Sequence, residues 1–209
     1  MSKLDSEGLK QLFQDFSLVI NDQKDHLCEL DAKIGDGDLG ITMSKGFSKV
    51  SEIIAAMDEK DIGRILQQTG LILSEYAPST MGTLLASGFM EAGKNLRGYD
   101  QIDVKGLLIF IKTLNEGIMK RGKANPGGKT VVDVLDQCLR FAEKNNGDSL
   151  ASILQSAERG ASKGLEDTKS MMAMYGRAAI FREKTFGIQD PGGTVIWLLI
   201  KTFADFVSG

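Results

Sequence analysis

The chain has 209 residues, of which 42% are hydrophobic and 25% charged, and this length and composition are typical of one soluble globular domain. Its net charge is −3 and its basic residues are spread among the acidic ones, which argues against binding to nucleic acid. The longest apolar run, Val195 to Ile200, is too short to cross a bilayer, and the first ten residues lack the apolar core of a signal peptide. We therefore expect a cytoplasmic protein with no membrane segment and a single domain over residues 1–209.

Helical spacing is the dominant pattern along the chain. Apolar residues recur at steps of three and four, first at Leu9, Leu12, Phe13, Phe16 and Ile20. Seven further stripes begin at Met43, Ile62, Met81, Val104, Val134, Leu150 and Thr194. No two-residue period flanked by hairpin turns is present. The sequence therefore predicts an all-α fold, in which about eight amphipathic helices pack antiparallel around a common interior.

Four of the segments between these stripes are rich in glycine and proline, which set backbone shapes that a simple helical turn rarely needs. They are IGDGDLG (34–40), YAPSTMGT (76–83), RGKANPGGKT (121–130) and QDPGGT (189–194), and they contain all three prolines. In an up-and-down bundle, alternate connections lie at the same end. We therefore expect these four segments to share one rim of the bundle and to form the functional site there.

The first of these segments follows Asp31 and contains Asp36 and Asp38, so three carboxylates fall within eight residues. Carboxylates this close repel one another unless a cation lies among them, and their hard oxygen atoms suit Mg²⁺ or Ca²⁺. The spacing of an EF-hand is absent. In the alternative interpretation, Asp38 caps the following helix and the other two acids are simply solvated.

The other segments contain groups suited to phosphate. Thr80 to Thr83 opens a helix, where free N–H groups bind anions, and RGKANPGGKT supplies basic residues without the spacing of a Walker A loop. Arg177 could hold a phosphate through its bidentate guanidinium or form a salt bridge at the rim. The single histidine, His26, is interpreted as a surface residue.

Three segments of this sequence resemble, in the same order, the signature segments of one family. They are LDAKIGDGDLGITMSKGF, RGKANPGGKT and GRAAIFREKTFGIQDPGGT. The family comprises the ADP-binding L subunit of phosphotransferase-dependent dihydroxyacetone kinase and the matching nucleotide-binding domain of ATP-dependent dihydroxyacetone kinases. The resemblance implies a barrel of eight antiparallel helices, in agreement with the number of stripes.

The resemblance also implies a set of binding residues. Mg²⁺, expected as two ions, would be coordinated by Asp31, Asp36 and Asp38. Contacts to ADP or ATP are implied at Leu39, Gly40, Ile41, Thr42, Ser79, Thr80, Gly122, Val131, Arg177, Asp190, Pro191 and Gly192.

Family members of the phosphotransferase branch keep ADP bound like a cofactor. A phosphohistidine on an M-type partner subunit recharges it, and the phosphoryl group passes to dihydroxyacetone held on a K-type partner subunit. This chain would then be a kinase only together with its partners, with no nucleophile of its own, and Arg177 or Lys129 would neutralise charge on the phosphates. Association of two copies is left open.

The sequence departs from the family pattern at several places. Leu39 and Ile188 stand where histidine is usual, Thr42 where asparagine is common, and Gly128 where an acid is usual, while the stretch APSTMG is shortened. These changes suggest a divergent paralogue that still binds Mg²⁺-nucleotide. The alternatives are a kinase subunit for another ketose or for a carried fatty acid, and a non-catalytic nucleotide-binding regulator.

Overall fold

The structure is a computed structural model that describes residues 3–209, and eight long helices account for most of this range. The predicted all-α architecture is confirmed. The helices are α1 Ser6–Asp22, α3 Leu39–Ala55, α4 Ile62–Tyr76, α5 Thr80–Asn95, α6 Val104–Gly122, α7 Val131–Lys144, α8 Leu150–Asp167 and α9 Pro191–Ser208. A short helix, α2 Lys24–Asp31, and two 3₁₀ segments, Thr168–Ser170 and Arg177–Thr185, complete the helical part.

Most of the long helices begin at a side chain that accepts a hydrogen bond from a backbone N–H of the first turn, which such a turn cannot satisfy internally. At the start of α7, Thr130 and Asp133 form a reciprocal capping box. The other capping residues are Asp5, Asp61, Ser79, Asp103, Ser149 and Asp190. The starting points of these helices are therefore determined by local capping residues.

The long helices form a closed ring. Each packs against the next along the chain, and α9 also packs against α1, while α2 lies against α3 and α9. The apolar stripes face inward, where the rings of Phe13 and Phe89 lie 6.0 Å apart and both side chains are buried. Because the connections alternate between the two ends, α3, α5, α7 and α9 all begin at the same end of the barrel.

Several neighbouring helices approach so closely that only glycine fits between them. A Cβ atom added at Gly93 on α5 would lie 2.5 Å from the carbonyl oxygen of Gly63 on α4. On α6, a Cβ atom at Gly117 would lie 2.6 Å from the carbonyl oxygen of Ser87. These close contacts fix the spacing of α4, α5 and α6.

Two features of the fold have no counterpart among the elements predicted from sequence. Leu4–Asp5 and Gln101–Ile102 pair as a two-stranded antiparallel sheet at the end of the barrel opposite to the starts of α3, α5, α7 and α9. Two-residue strands are too short to produce a recognisable alternation, and α2 is too short to produce a full stripe. Within residues 3–209, none of the helices combines the length and the apolar character that crossing a membrane requires.

Candidate nucleotide and metal site

The four glycine- and proline-rich segments meet at one end of the barrel, around a cavity of about 280 Å³. The predicted grouping of these segments is therefore present in the fold. Among the residues that line the cavity are Asp31, Asp36, Asp38, Leu39, Ser79, Thr80, Gly122, Val131, Arg177, Asp190, Pro191 and Gly192. These twelve are separated by up to 161 positions in sequence and are brought together only by the closed ring of helices.

Asp31, Asp36 and Asp38 form a compact cluster on one wall. One carboxylate oxygen of each lies within 4.8 Å of those of the other two. Asp31 at the end of α2 also accepts a hydrogen bond of 2.9 Å from the N–H of Gly37, whose positive φ turns the loop back. Asp38 occupies the capping position of α3 without making a side-chain capping bond, so the alternative role of Asp38 as a helix cap is wrong. Three hard oxygen donors at this separation fit a divalent cation such as Mg²⁺.

The cavity also lies at the amino ends of four helices. The first turns of α3, α5, α7 and α9 all contribute to its wall through Leu39, Thr80, Val131 and Pro191. Backbone N–H groups of a first helical turn have no partner within the helix, and the helix dipole adds positive potential there. This end of the barrel therefore combines carboxylates for cations with helix termini for phosphate.

Arg177 forms an ion pair with Asp36. Its side chain is 66% exposed, and it follows Gly176, whose φ of 63° lets the backbone turn at this point. The salt bridge at the rim is thus present, and the same guanidinium lines the cavity. The salt-bridge and phosphate-binding interpretations of Arg177 are compatible, because its guanidinium contacts Asp36 and also lines the cavity.

Asp190 and Lys129 are both buried in the wall of the cavity. Asp190 is 8% exposed and accepts a hydrogen bond of 2.6 Å from the N–H of Gly193, which caps α9. Burial raises the pKa of Asp190 to about 7, although the Gly193 N–H and the Lys129 ammonium both oppose this rise. Burial also lowers the pKa of Lys129 from its ordinary value.

Lys129, expected from the sequence to neutralise charge on the phosphates, lines the cavity, but its ammonium is bonded to backbone carbonyl oxygens. Its side chain is 2% exposed, and its ammonium donates to the carbonyl oxygens of Thr168, at 2.6 Å, and Ile188. Thr168 in turn accepts a hydrogen bond of 3.0 Å from the N–H of Asp190 through its hydroxyl oxygen. Lys129 therefore holds the end of α8 against the turn that precedes α9.

Three of the expected nucleotide contacts lie outside the cavity wall. Gly40 packs against α2, where a Cβ atom would lie 1.9 Å from the carbonyl oxygen of Lys24. The Ile41 side chain is 58% exposed, and the Thr42 hydroxyl donates to the carbonyl oxygen of Asp38. Gly40 and Ile41 can reach a ligand in the cavity only through their backbone N–H groups, whereas the N–H of Thr42 already donates to the carbonyl oxygen of Asp38.

Tyr175 lines the cavity and was missed by the sequence analysis. Its ring packs on Gly128, where an added Cβ atom would lie 2.3 Å from the ring carbon Cε2. The signal in the sequence was Gly128 itself, which stands where the family usually has an acid. Tyr175, whose ring requires that residue 128 have no side chain, lies 47 residues away, and the two positions share no helical period.

Comparison with known proteins identifies the family. Residues 33–205 match the family model of the DAK2 domain. The chain is 33% identical over 189 residues to the ADP-binding subunit of the PEP-dependent dihydroxyacetone kinase of Escherichia coli K12, covering 89% of this chain and 90% of the relative. It is 29% identical over 188 residues to the corresponding subunit of kinase 1 of Listeria innocua, covering 90% of each.

A solved structure has the same fold. The dihydroxyacetone kinase of C. freundii in complex with AMP-PNP and Mg²⁺ superposes with a TM-score of 0.70 at 23% identity, over 94% of this chain but only 33% of that longer one. The chain belongs to the DAK2 domain family and groups with the ADP-binding subunits of PEP-dependent dihydroxyacetone kinases.

Proposed function

We propose that this chain is the nucleotide-binding phosphotransfer subunit of a dihydroxyacetone kinase, holding ADP or ATP with Mg²⁺ in the rim cavity. The observation that carries the proposal is the cluster of Asp31, Asp36 and Asp38, with oxygens within 4.8 Å of one another, at the end where four helices begin. The name of the E. coli relative, an ADP-binding kinase subunit, supports the same function.

Each part of the cavity has a role in this proposal. The three carboxylates would hold Mg²⁺, expected as two ions, which would neutralise the phosphates as charge develops during transfer. The first turns of α5 and α9, with Ser79, Thr80 and Asp190 to Gly192, would bind phosphate oxygens through N–H and hydroxyl groups. Arg177 would add a positive charge that reaches the phosphates from the rim.

Among residues 3–209, the cavity wall contains neither histidine nor cysteine that could act as a nucleophile. The chain's one histidine, His26, lies exposed on α2 and is not part of the cavity wall. Phosphoryl transfer needs positioning and charge neutralisation more than a protein nucleophile. Such a chain would act in a relay, with the cytoplasm as its expected location: an M-type subunit with a phosphohistidine would recharge ADP, and a K-type subunit would present dihydroxyacetone.

Reconstitution with the partner subunits tests this function. The chain, combined with K-type and M-type subunits from its own genome and with phosphoenolpyruvate, should form dihydroxyacetone phosphate, and Asp36→Asn should abolish turnover. Asp100→Asn, an exposed acid at the opposite end of the barrel, should leave turnover unchanged. Turnover with erythrulose in place of dihydroxyacetone would indicate another ketose, and absence of transfer by a nucleotide-bound protein would indicate a regulator.

A further inference from the structure

Tyr175 is the aromatic residue among the described residues that line the cavity. Its side chain is half-buried and packs against the hydrophobic core, so the ring has a fixed position at the rim. Two residues further along the chain, Arg177 reaches Asp36 on the acidic wall. The ring and this ion pair therefore line the same cavity.

The position of the ring depends on Gly128. A Cβ atom at Gly128 would lie 2.3 Å and 2.7 Å from two carbons of the Tyr175 ring, and both distances are far below contact. The N–H of Met174 donates a hydrogen bond of 3.1 Å to the carbonyl oxygen of Gly128, which holds the two segments together. Any side chain at position 128 would have to displace the ring.

The surrounding wall suits the nucleoside half of a nucleotide. Besides its charged and hydroxyl groups, the cavity has a set of apolar lining residues, namely Met81, Leu84, Ile118, Ala124 and Val131. Tyr175 lines the same cavity as these apolar residues and packs on Gly128 of the 121–130 segment, which also supplies Gly122 and Ala124 to the wall. A purine has two flat π-faces that pack favourably on an aromatic ring.

We propose that Tyr175 stacks on the base of the bound nucleotide and makes this chain select a nucleotide over a bare polyphosphate. The inference rests on the proposed function, because it assumes that a nucleotide occupies the cavity. It assigns a role to the residue pair Tyr175 and Gly128, which the family resemblance does not explain.

Titration calorimetry with two probes tests the stacking. Mg²⁺-ADP contains the base and Mg²⁺-pyrophosphate does not, so only the first should respond to the ring. Tyr175→Leu keeps an apolar contact with Gly128 but loses the π-face, and should weaken ADP binding by about 5- to 30-fold while pyrophosphate binding is unchanged. Tyr175→Phe should bind both probes like the wild type.

Gly128→Ala provides a second variant that leaves Tyr175 in place but displaces its ring, and it should also weaken ADP binding selectively. Tyr99→Leu, a half-buried tyrosine at the opposite end of the barrel, serves as the matched control and should change neither affinity. Equal affinity of wild type and Tyr175→Leu for ADP, or an equal loss for both probes, would overturn the stacking alone. Failure of the wild type to bind either probe would overturn the proposed function itself.

Discussion

Arg177 is ion-paired with Asp36, and this contact joins the segment before α9 to the acidic loop before α3. The segment from 171 to 189 contains little regular structure besides 3₁₀ turns, and Arg182 within it has a positive φ of 48°. The Arg177 guanidinium would compete for Asp36 with a cation bound by the three carboxylates. A phosphate, in contrast, would attract Arg177.

Removal of Arg177 should therefore affect the two ligands in opposite directions. In Arg177→Ala, the affinity for Mg²⁺-ADP should fall by about tenfold or more, because a charged hydrogen bond to phosphate contributes about 1.5–3 kcal/mol. The affinity for Mg²⁺ alone should rise, since a positive charge next to Asp36 is gone. Calorimetry measures both. The control is Arg140→Ala, which removes an exposed ion pair with Asp136 far from the cavity, and a fall in both affinities for Arg177→Ala would contradict the account.

The buried carboxyl of Asp190 predicts a pH-dependent stability. Its pKa is about 7 in the folded protein against 3.8 as the ordinary value, so the folded state binds this proton more tightly. The free energy of unfolding should therefore decrease as pH rises from about 4 to about 7, and this contribution should be constant above that range. Asp190→Asn keeps an acceptor for the Gly193 N–H and should lose this dependence.

Urea unfolding of wild type and Asp190→Asn between pH 4.5 and 7.5, without divalent cations, measures the effect. The stability of the wild type relative to the variant should fall across this range, by an amount on the order of a few kcal/mol. A difference that stays constant with pH would mean that Asp190 is ionised throughout.

Lys129 should contribute strongly to stability rather than to phosphate binding. Lys129→Met would leave the buried carbonyl groups of Thr168 and Ile188 without this donor, at a cost of about 1–3 kcal/mol for each unsatisfied group. Thermal unfolding should shift downward by several degrees, since 1 kcal/mol corresponds to about 2–4 °C for a domain of this size. Lys201→Met, which removes an exposed pair with Asp205, should shift it little. Equal shifts for the two variants would exclude a structural role for Lys129.

Because α4 and α5 approach so closely, adding a single methyl group between them should destabilise the fold. Gly93→Ala would place Cβ at 2.5 Å from a backbone oxygen of Gly63, and the helices would have to separate, at a cost of about 1–3 kcal/mol. Gly106→Ala is the matched control, because its nearest neighbour would lie at 3.4 Å, an ordinary contact. Chemical unfolding should show destabilisation of Gly93→Ala alone, and unchanged stability of this variant would contradict the described packing.

The helices could be predicted from sequence because burial follows a local period. Leu9, Leu12, Phe13, Phe16 and Ile20 repeat at helical spacing, and all of them are buried on α1. The acidic cluster could also be predicted, since its members lie within eight residues, and the glycine and proline content of the other three segments indicated that they belong to the same rim.

The contacts that hold the site together could not be predicted in this way. Lys129 reaches Thr168 and Ile188, which lie 39 and 59 residues away, and Tyr175 packs on Gly128 without any shared pattern. Such contacts depend on how the closed ring brings distant segments together. The resemblance likewise could not tell that Gly40 faces α2 and that Ile41 faces outward, because it describes positions and not side-chain directions.

The central claim is that Asp31, Asp36 and Asp38 hold a divalent cation that in turn binds the phosphates of a nucleotide. Calorimetric titration of ADP with and without Mg²⁺, on wild type, Asp36→Asn and Asp100→Asn, tests it most directly. The account predicts Mg²⁺-dependent binding of ADP to wild type and to Asp100→Asn, and its loss in Asp36→Asn. Binding of ADP that is equally strong without Mg²⁺, or that persists in a folded Asp36→Asn protein, would contradict it.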